Sequence, residues 1–448
     1  MIKSYNPKDS KFNINTRNRV VSTNVKTKNN KSQPNNLLSP RLHYPLSNSL
    51  IPEIGSGYLD YTRTTTGSNA TYIDKNGILK TAANDEPRFE KGGLLMETSS
   101  TNLLKQSNTF SDLIWGNPTP YHITYTPSAD TGPDNIIGSA WRVTEDSASG
   151  FSHTIMQNSV SNPALVHTAS VYLKIPETNY RRYMSLLIWN AGVSSNAVYG
   201  VFDILEGKIV RTGNNNSGRN VRAQIIKAAN GYWRCCVSGI PHYDTTTGAS
   251  TGIGGYFLVD PFGSTVYTGD GVSGFYISSC QLEQSAFPTS YIPTDSSART
   301  RGTDSFNIYG NNNFIWPDSP QTIICEGDHE IATSFAQYFY TTSGVNFSNI
   351  VASMPNGTMH SHIENSSGVY TSFITKPKIK IILCAVKRKN KLELWYNGIM
   401  VASKGPSGLA SGTFNYMMIA PYLNGHVKNL KIYDYDLSEL EIKKLTSL

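Results

Sequence analysis

Few side chains in this sequence have both the type and the spacing for chemistry. Two carboxyl pairs, Asp203 with Glu206 and Asp328 with Glu330, carry the groups a glycosidase uses as acid and base or nucleophile. Closeness in sequence does not set the carboxyl separation that hydrolysis requires, and the G-x-S-x-G, H-E-x-x-H and phosphate-loop signatures are absent, so no catalytic residue is expected. His360 and His362 flank Ser361. In an extended strand positions i and i+2 share a face, so two imidazoles could hold one metal and six could surround the axis of a trimer. With no third ligand nearby the plainer reading is a pair of surface histidines, and neither metal nor cofactor is expected. Aromatic rings are the remaining chemistry, since a pyranose face stacks on them. Trp115, Trp189, Trp316 and Tyr422 fall near expected strand ends or loops and are the carbohydrate-binding candidates. Trp141, Trp233 and Trp395 lie inside strand-like runs and are expected to pack.

The elements that must position these groups read as strands. Apolar residues make up 38% and charged residues only 16% of the 448, with Gly, Tyr, Ser, Thr and Asn plentiful, which fits an all-β chain with many turns. From Ala164 to Ile175, Leu165, His167, Ala169, Val171 and Leu173 alternate with Val166, Thr168, Ser170, Tyr172 and Lys174, the pattern of a half-buried strand. Gly231 to Ile240 and Gly274 to Leu282 read likewise. Asn397-Gly398 predicts a type I′ hairpin. Ser438 with Glu441 predicts a capping box, and Leu437 with Ile442 a staple, for one short closing helix. Five cysteines without a CxxC pair predict neither a disulfide framework nor a zinc site. No apolar run has the length of a membrane span or a secretory leader, so synthesis in a host cytoplasm and no membrane insertion are expected.

Charge is unevenly spread. Residues 1 to 50 hold Lys3, Lys8, Lys11, Arg17, Arg19, Lys26, Lys28, Lys31 and Arg41 against Asp9 alone, a net +8, while the rest of the chain nets −1. Such a polar, aperiodic arm orders only against a partner. Its few aromatics give nucleic acid little to stack on, so a protein surface is the expected partner and nucleic acid is not.

The passage QLEQSAFPTSYIPT from Gln281, followed by RTRGTDSF ending at Phe306, has almost no apolar periodicity. Pro288 and Pro293 each remove a ladder donor, which predicts a strap that leaves the sheet and runs along an edge or surface. Arg63 and Arg301 each follow a threonine near opposite ends of this region, which predicts that the entering and leaving straps pass close together.

These segments resemble a family of bacteriophage virion modules, the head-spike, head-fibre or tail-fibre domains with a carbohydrate-binding-module-like jelly roll. The likeness covers about residues 59 to 305. Its islands are Tyr61 to Thr64, Ala70 to Asp74, Gly77 to Leu79, Pro87 to Phe89, Gly93 to Glu97, Thr101 to Leu104, Asn230 to Cys235 and the proline strap. Downstream, LELWYNG at Leu392 and VKNLKIY at Val427 are similar to a concanavalin A or laminin G type jelly roll. No Asp/Asn cluster there matches a calcium site.

The expectation is therefore an all-β protein of two tandem antiparallel β-sandwich jelly rolls behind an extended basic arm, closed by one short helix. The arm spans 1–55, the first jelly roll 56–305 and the second 306–448. The resemblance implies a structural, non-enzymatic virion-surface protein made of symmetric copies, with a trimer as the family's expected assembly. It would dock through its arm on capsid, collar or tail proteins and adhere to host glycans by avidity. The alternatives are a polysaccharide-depolymerising tailspike and a purely architectural decoration or adaptor.

Overall fold

The computed structural model describes residues 39–55, 58–63, 70–116, 122–190, 193–242, 250–309, 320–330, 336–342, 347–353, 358–363, 373–374, 380–389, 391–404, 416–419 and 423–448. It is an all-β protein of two sandwiches with, among the described residues, one α-helix, Glu439–Thr446.

One sandwich packs a six-stranded sheet on a five-stranded sheet. The six strands run Arg219–Lys227, Trp233–Ile240, His167–Lys174, Gly274–Glu283, Ala140–Glu145 and Ile123–Asp130 across the sheet. The five run Thr154–Val160, Ser250–Leu258, Tyr183–Asn190, Val193–Asp203 and Lys208–Asn215. Inward residues of both, such as Ala169, Val171, Leu173, Met184, Leu186, Ile188 and Phe257, form one apolar core. The three strands read from alternation lie side by side at the centre of the six-stranded sheet, where their apolar content belongs.

The other sandwich draws on both ends of the chain. In its eight-stranded sheet the strand Gly425–Tyr433 pairs with Gln321–His329 on one side and, on the other, with Leu42–Tyr44 and Gly93–Met96. In its seven-stranded sheet Tyr58–Arg63 pairs with Asp304–Tyr309. Leu42, Tyr44, Leu46 and Leu50 are buried in this core beside Ile323, Leu383, Val427 and Ile432. The boundaries expected at 55/56 and 305/306 are corrected accordingly. The strands Leu42–Tyr44, Tyr58–Arg63, Phe89–Glu90 and Gly93–Met96 belong with those between Asp304 and Tyr433, the six-on-five sandwich is inserted between the two groups, and the hairpin Ala70–Ile73 to Leu79–Ala82 packs on the inserted sandwich at Tyr172, Ala228 and Tyr232. The neck of the insertion is a two-stranded ladder of Ser100–Asn102 with Arg299–Arg301. The cause is apolar content: LHYPLSNSL from Leu42 supplies four large side chains, enough to enter a core.

Local readings hold where the signal was local. Asn397 and Gly398 both take positive φ, 47° and 79°, between Lys391–Tyr396 and Ile399–Lys404. Ser438 and Glu441 make the reciprocal capping box, and Leu437 and Ile442 pack the helix on Ile324, Val386 and Trp395. All five cysteines are free and buried. Among the described residues no helix is long and apolar enough to cross a membrane.

Candidate functional site

The proline strap does not run over the surface. Thr289, Ser290, Tyr291 and Ile292 are buried, lying across the outer face of the six-stranded sheet. Its polar residues are polar because they are bonded. Glu283 accepts from the Thr289 amide at 2.9 Å and hydroxyl at 2.6 Å, the Gln281 side chain accepts from the Ile292 amide at 2.7 Å, and Thr71 donates to the Tyr291 carbonyl at 2.5 Å. The strap also explains why Thr168, Ser170 and Tyr172 are buried rather than exposed as the alternation predicts. Thr168 donates to the Ser285 carbonyl, and Arg234 bridges Ser170 to the Thr289 carbonyl.

Between strap and neck lies a buried ionic network. Arg63 and Arg88 both reach Asp304, at 3.4 and 2.5 Å, and Arg88 and Arg301 both reach Glu97, at 2.7 and 3.4 Å. Glu97 also accepts from the Ser290 amide and hydroxyl, each at 2.7 Å. The expected closeness of Arg63 and Arg301 is thus realised through two shared carboxylates. Burial alone pushes the Glu97 carboxyl up, but Arg301 and Arg88, with the Ser290 bonds, outweigh it and hold the group down at about 2. Five of the eight sequence islands of the resemblance supply a member: Arg63, Thr71, Arg88, Glu97 and, from the strap passage, Ser290 with Asp304.

Beside this network opens a cleft of about 560 Å³. Tyr172 and Arg234 come from the outer face of the six-stranded sheet, Tyr72 and Asp74 from the hairpin Ala70–Ile73 to Leu79–Ala82, Phe287 and Tyr291 from the strap, and Asp328 and His426 from the other sandwich. His426 is held at both nitrogens, Nδ1 to Asp328 at 2.8 Å and Nε2 to Glu90 at 3.1 Å. Burial lowers its pKa, but hydrogen bonds and charge from Asp328 and Glu90 prevail and push it up to about 10, so both ring nitrogens donate at neutral pH. A Cβ on Gly92 would sit 2.6 Å from the His426 ring, so only glycine lets the ring seat there.

The expected sugar platforms are elsewhere. Trp115 is buried in the insertion core and donates its indole N–H to the Gln106 carbonyl at 2.9 Å. Trp189 is 7% exposed, on the outer face of the five-stranded sheet; a Cβ on Gly252 would come within 2.4 Å of its ring. Both are corrected from binding to packing, because large rings are drawn to burial first. Trp316 and Tyr422 lie outside the described residues, as do Lys3, Lys8, Lys11, Arg17, Arg19, Lys26, Lys28 and Lys31. Arg41 is half-buried with a partner, so it is not a free arm cation. His360 and His362 fall in the strand Thr358–Ile363, opposite Ala352 and Asn349, and their side chains lie outside the described residues. Trp395 is buried as expected, and Trp141 and Trp233 are half-buried against the insertion core.

In each carboxyl pair one carboxylate is held by a neighbouring cation. Asp203 is gripped by Arg182 through three contacts of 2.7 to 3.1 Å. Burial raises its pKa, but Arg182 and nearby amides more than offset this and keep it below the ordinary carboxylate value. Asp328 is occupied by His426. The residues that the sequence reading passed over are Arg234, Tyr172, Glu90 and His426. One signal for Arg234 was available: a charge alternating into a strand of buried Cys235 and Val237 has to face something polar.

No family model matches the chain, and no curated protein matches it. Among solved structures, the CBM40 module of the Ruminococcus gnavus IT-sialidase, bound to α2,3-sialyllactose, is similar over 30% of this chain and 84% of that one, at 12% identity and a TM-score of 0.26. The receptor-binding domain of botulinum neurotoxin C/D mosaic serotype is similar over 32% of this chain and 40% of that one, at 11% identity and a TM-score of 0.28.

Proposed function

We propose that this protein is a non-enzymatic, glycan-binding surface protein of the bacteriophage fibre or spike class that its sequence islands resemble, with the junction cleft as its sugar pocket. The observation that carries the reading is the cleft. Its volume falls in the range of roughly 300–1,000 Å³ typical of small-ligand sites, and its walls alternate aromatic rings with polar groups. Those walls come from four separate segments locked together by buried ions, so the pocket is pre-organised and a sugar loses little affinity to ordering it. Binding is favoured over hydrolysis because, of the candidate pair Asp328 and Glu330 that both line the cleft, Asp328 is already committed to His426. Weak single sites gain strength from copies displayed symmetrically on a particle, and the basic N-terminal segment is the docking element onto it.

The test is titration of the purified chain with an oligosaccharide panel, alongside incubation with host capsular polysaccharide. Saturable binding that Tyr72→Ala and Phe287→Ala each weaken, with polysaccharide length unchanged, is the expected result. Shortened chains would favour the depolymerase reading, and no binding across the panel the architectural one.

A further inference from the structure

We infer that the cleft takes a sugar bearing an anionic group, a carboxylate or a sulfate, seated on Arg234. This rests on the glycan reading above and makes its ligand specific. The junction buries four guanidinium groups, on Arg63, Arg88, Arg234 and Arg301, against three carboxylates, on Glu97, Glu283 and Asp304. Arg63, Arg88 and Arg301 are matched by Asp304 and Glu97. Glu283 accepts from Thr289, Ser100 and Gln281, neutral donors that leave its charge in place, and it acts on Arg234 through space, as Glu97 does. Among the described residues Arg234 makes no direct ion pair: both of its hydrogen bonds leave from Nη2, to Ser170 at 2.9 Å and the Thr289 carbonyl at 2.7 Å, and its Nε has no partner.

A buried cation whose counter-charges act only through space has room for a direct partner, and an anion delivered by a ligand makes that contact. Arg234 is 7% exposed and lines the cleft next to Tyr172, whose ring lies 5.6 Å from the guanidinium and whose hydroxyl is likewise buried without a partner. No acidic residue of the cleft wall makes that direct contact among the described residues. Glu90 and Asp328 hold His426, Glu97 belongs to the network, Asp74 accepts from the amides of its own turn, and Glu330 has a partner of its own. Lys75, Lys91 and Lys227, also in the lining, are exposed and make no ion pair among the described residues. Mobile positive charge at the mouth and a fixed guanidinium at the floor suit a sugar that carries its own negative charge.

The experiment is calorimetric titration of the full chain with a hyaluronan tetrasaccharide, N-acetylneuraminic acid and N-acetylglucosamine 6-sulfate, against lactose and chitobiose. At least one acidic probe is expected to bind about tenfold or more tighter than the neutral ones, in proportion to one charge-assisted contact, and to weaken with added salt. Arg234→Gln is expected to erase that preference in a chain that still unfolds cooperatively, because it removes the cation; Arg234→Lys should retain part of it. Neutral sugars binding as tightly as acidic ones, or Arg234→Gln lowering stability while leaving acidic affinity intact, would overturn the inference and leave the glycan reading standing. Binding of none of the probes would count against both.

Discussion

Tyr61 donates its hydroxyl to Asp304 at 2.7 Å, across 243 residues of sequence, and Arg63 joins them from 3.0 Å. The strand that leads toward the insertion is thereby tied to the strand that leaves it, through groups with no access to water. Asp304 is the anion on which Arg63 and Arg88 both depend. Asp304→Ala strips Arg63 of its paired carboxylate and Arg88 of one of its two, and is expected to cost about 3–5 kcal/mol. Urea denaturation reads the loss. Asp304→Asn keeps the shape and some hydrogen bonds and is expected to fall between wild type and alanine; a loss under 1 kcal/mol in either variant would mean the network is incidental to the fold.

Acid is expected to open this junction. Glu97 is held at about 2 against an ordinary 4.5, so the folded state binds its proton less readily than the unfolded chain does. Its stabilising contribution is therefore full above about pH 4.5 and disappears as pH falls through about 2. Thermal melting from pH 6 to pH 2 measures it. The expected result is a falling melting temperature below pH 4.5, with a shallower slope in Glu97→Gln at lower overall stability.

His426 runs the other way. Its folded pKa of about 10 lies above the ordinary 6.5, so the clamp to Glu90 and Asp328 contributes fully below about pH 6.5 and is lost as pH rises through about 10. His426→Gln is expected to lower the melting temperature at pH 6 and to flatten the decline that the native chain shows between pH 7 and pH 10. Equal slopes in the two proteins would show that the imidazole is not charged there.

How much of this was legible depended on how far apart the partners are in sequence. Alternation found His167–Lys174, Trp233–Ile240 and Gly274–Glu283, and local turn and cap chemistry found Asn397-Gly398 and Ser438 with Glu441, because each signal sits within a few residues. The strap reads as an edge or surface segment because Pro288 and Pro293 each remove a ladder donor. Nothing local reveals that Ser290 bonds Glu97, 193 residues away. Leu42 to Leu50 was assigned to the arm on its neighbours' charge, although its own leucines and tyrosine were core residues waiting for a partner at the other end of the chain. Trp115 and Trp189 were placed by nearness to strand ends, which says where a residue is along a strand and not which way its ring faces.

Trp189 is expected to matter for packing alone. Gly252→Ala forces a methyl group into the ring face, and Trp189→Ala empties the site, a class of change that costs about 3–5 kcal/mol when the ring is fully buried. Both variants should melt earlier while binding glycan normally at temperatures where they are folded. Loss of binding in a folded Trp189→Ala protein would restore this ring as a sugar platform.

The insertion itself can be cut out. Its ends meet at the neck, where Thr101 pairs with Thr300 and their hydroxyls lie 2.8 Å apart, and its core shares no member with the other sandwich's core. Residues 99–302 expressed alone are expected to give one cooperative thermal transition, since a domain of about 200 residues buries enough surface to fold. The transition should lie below that of the intact chain, because the fragment keeps Arg301 and Ser290 but loses Glu97 and its second partner Arg88. Amide exchange at Ser290 localises the effect: fast in the fragment, protected in the whole protein. A fragment with no cooperative transition would mean that the buried ions, and not the apolar core, hold the insertion together.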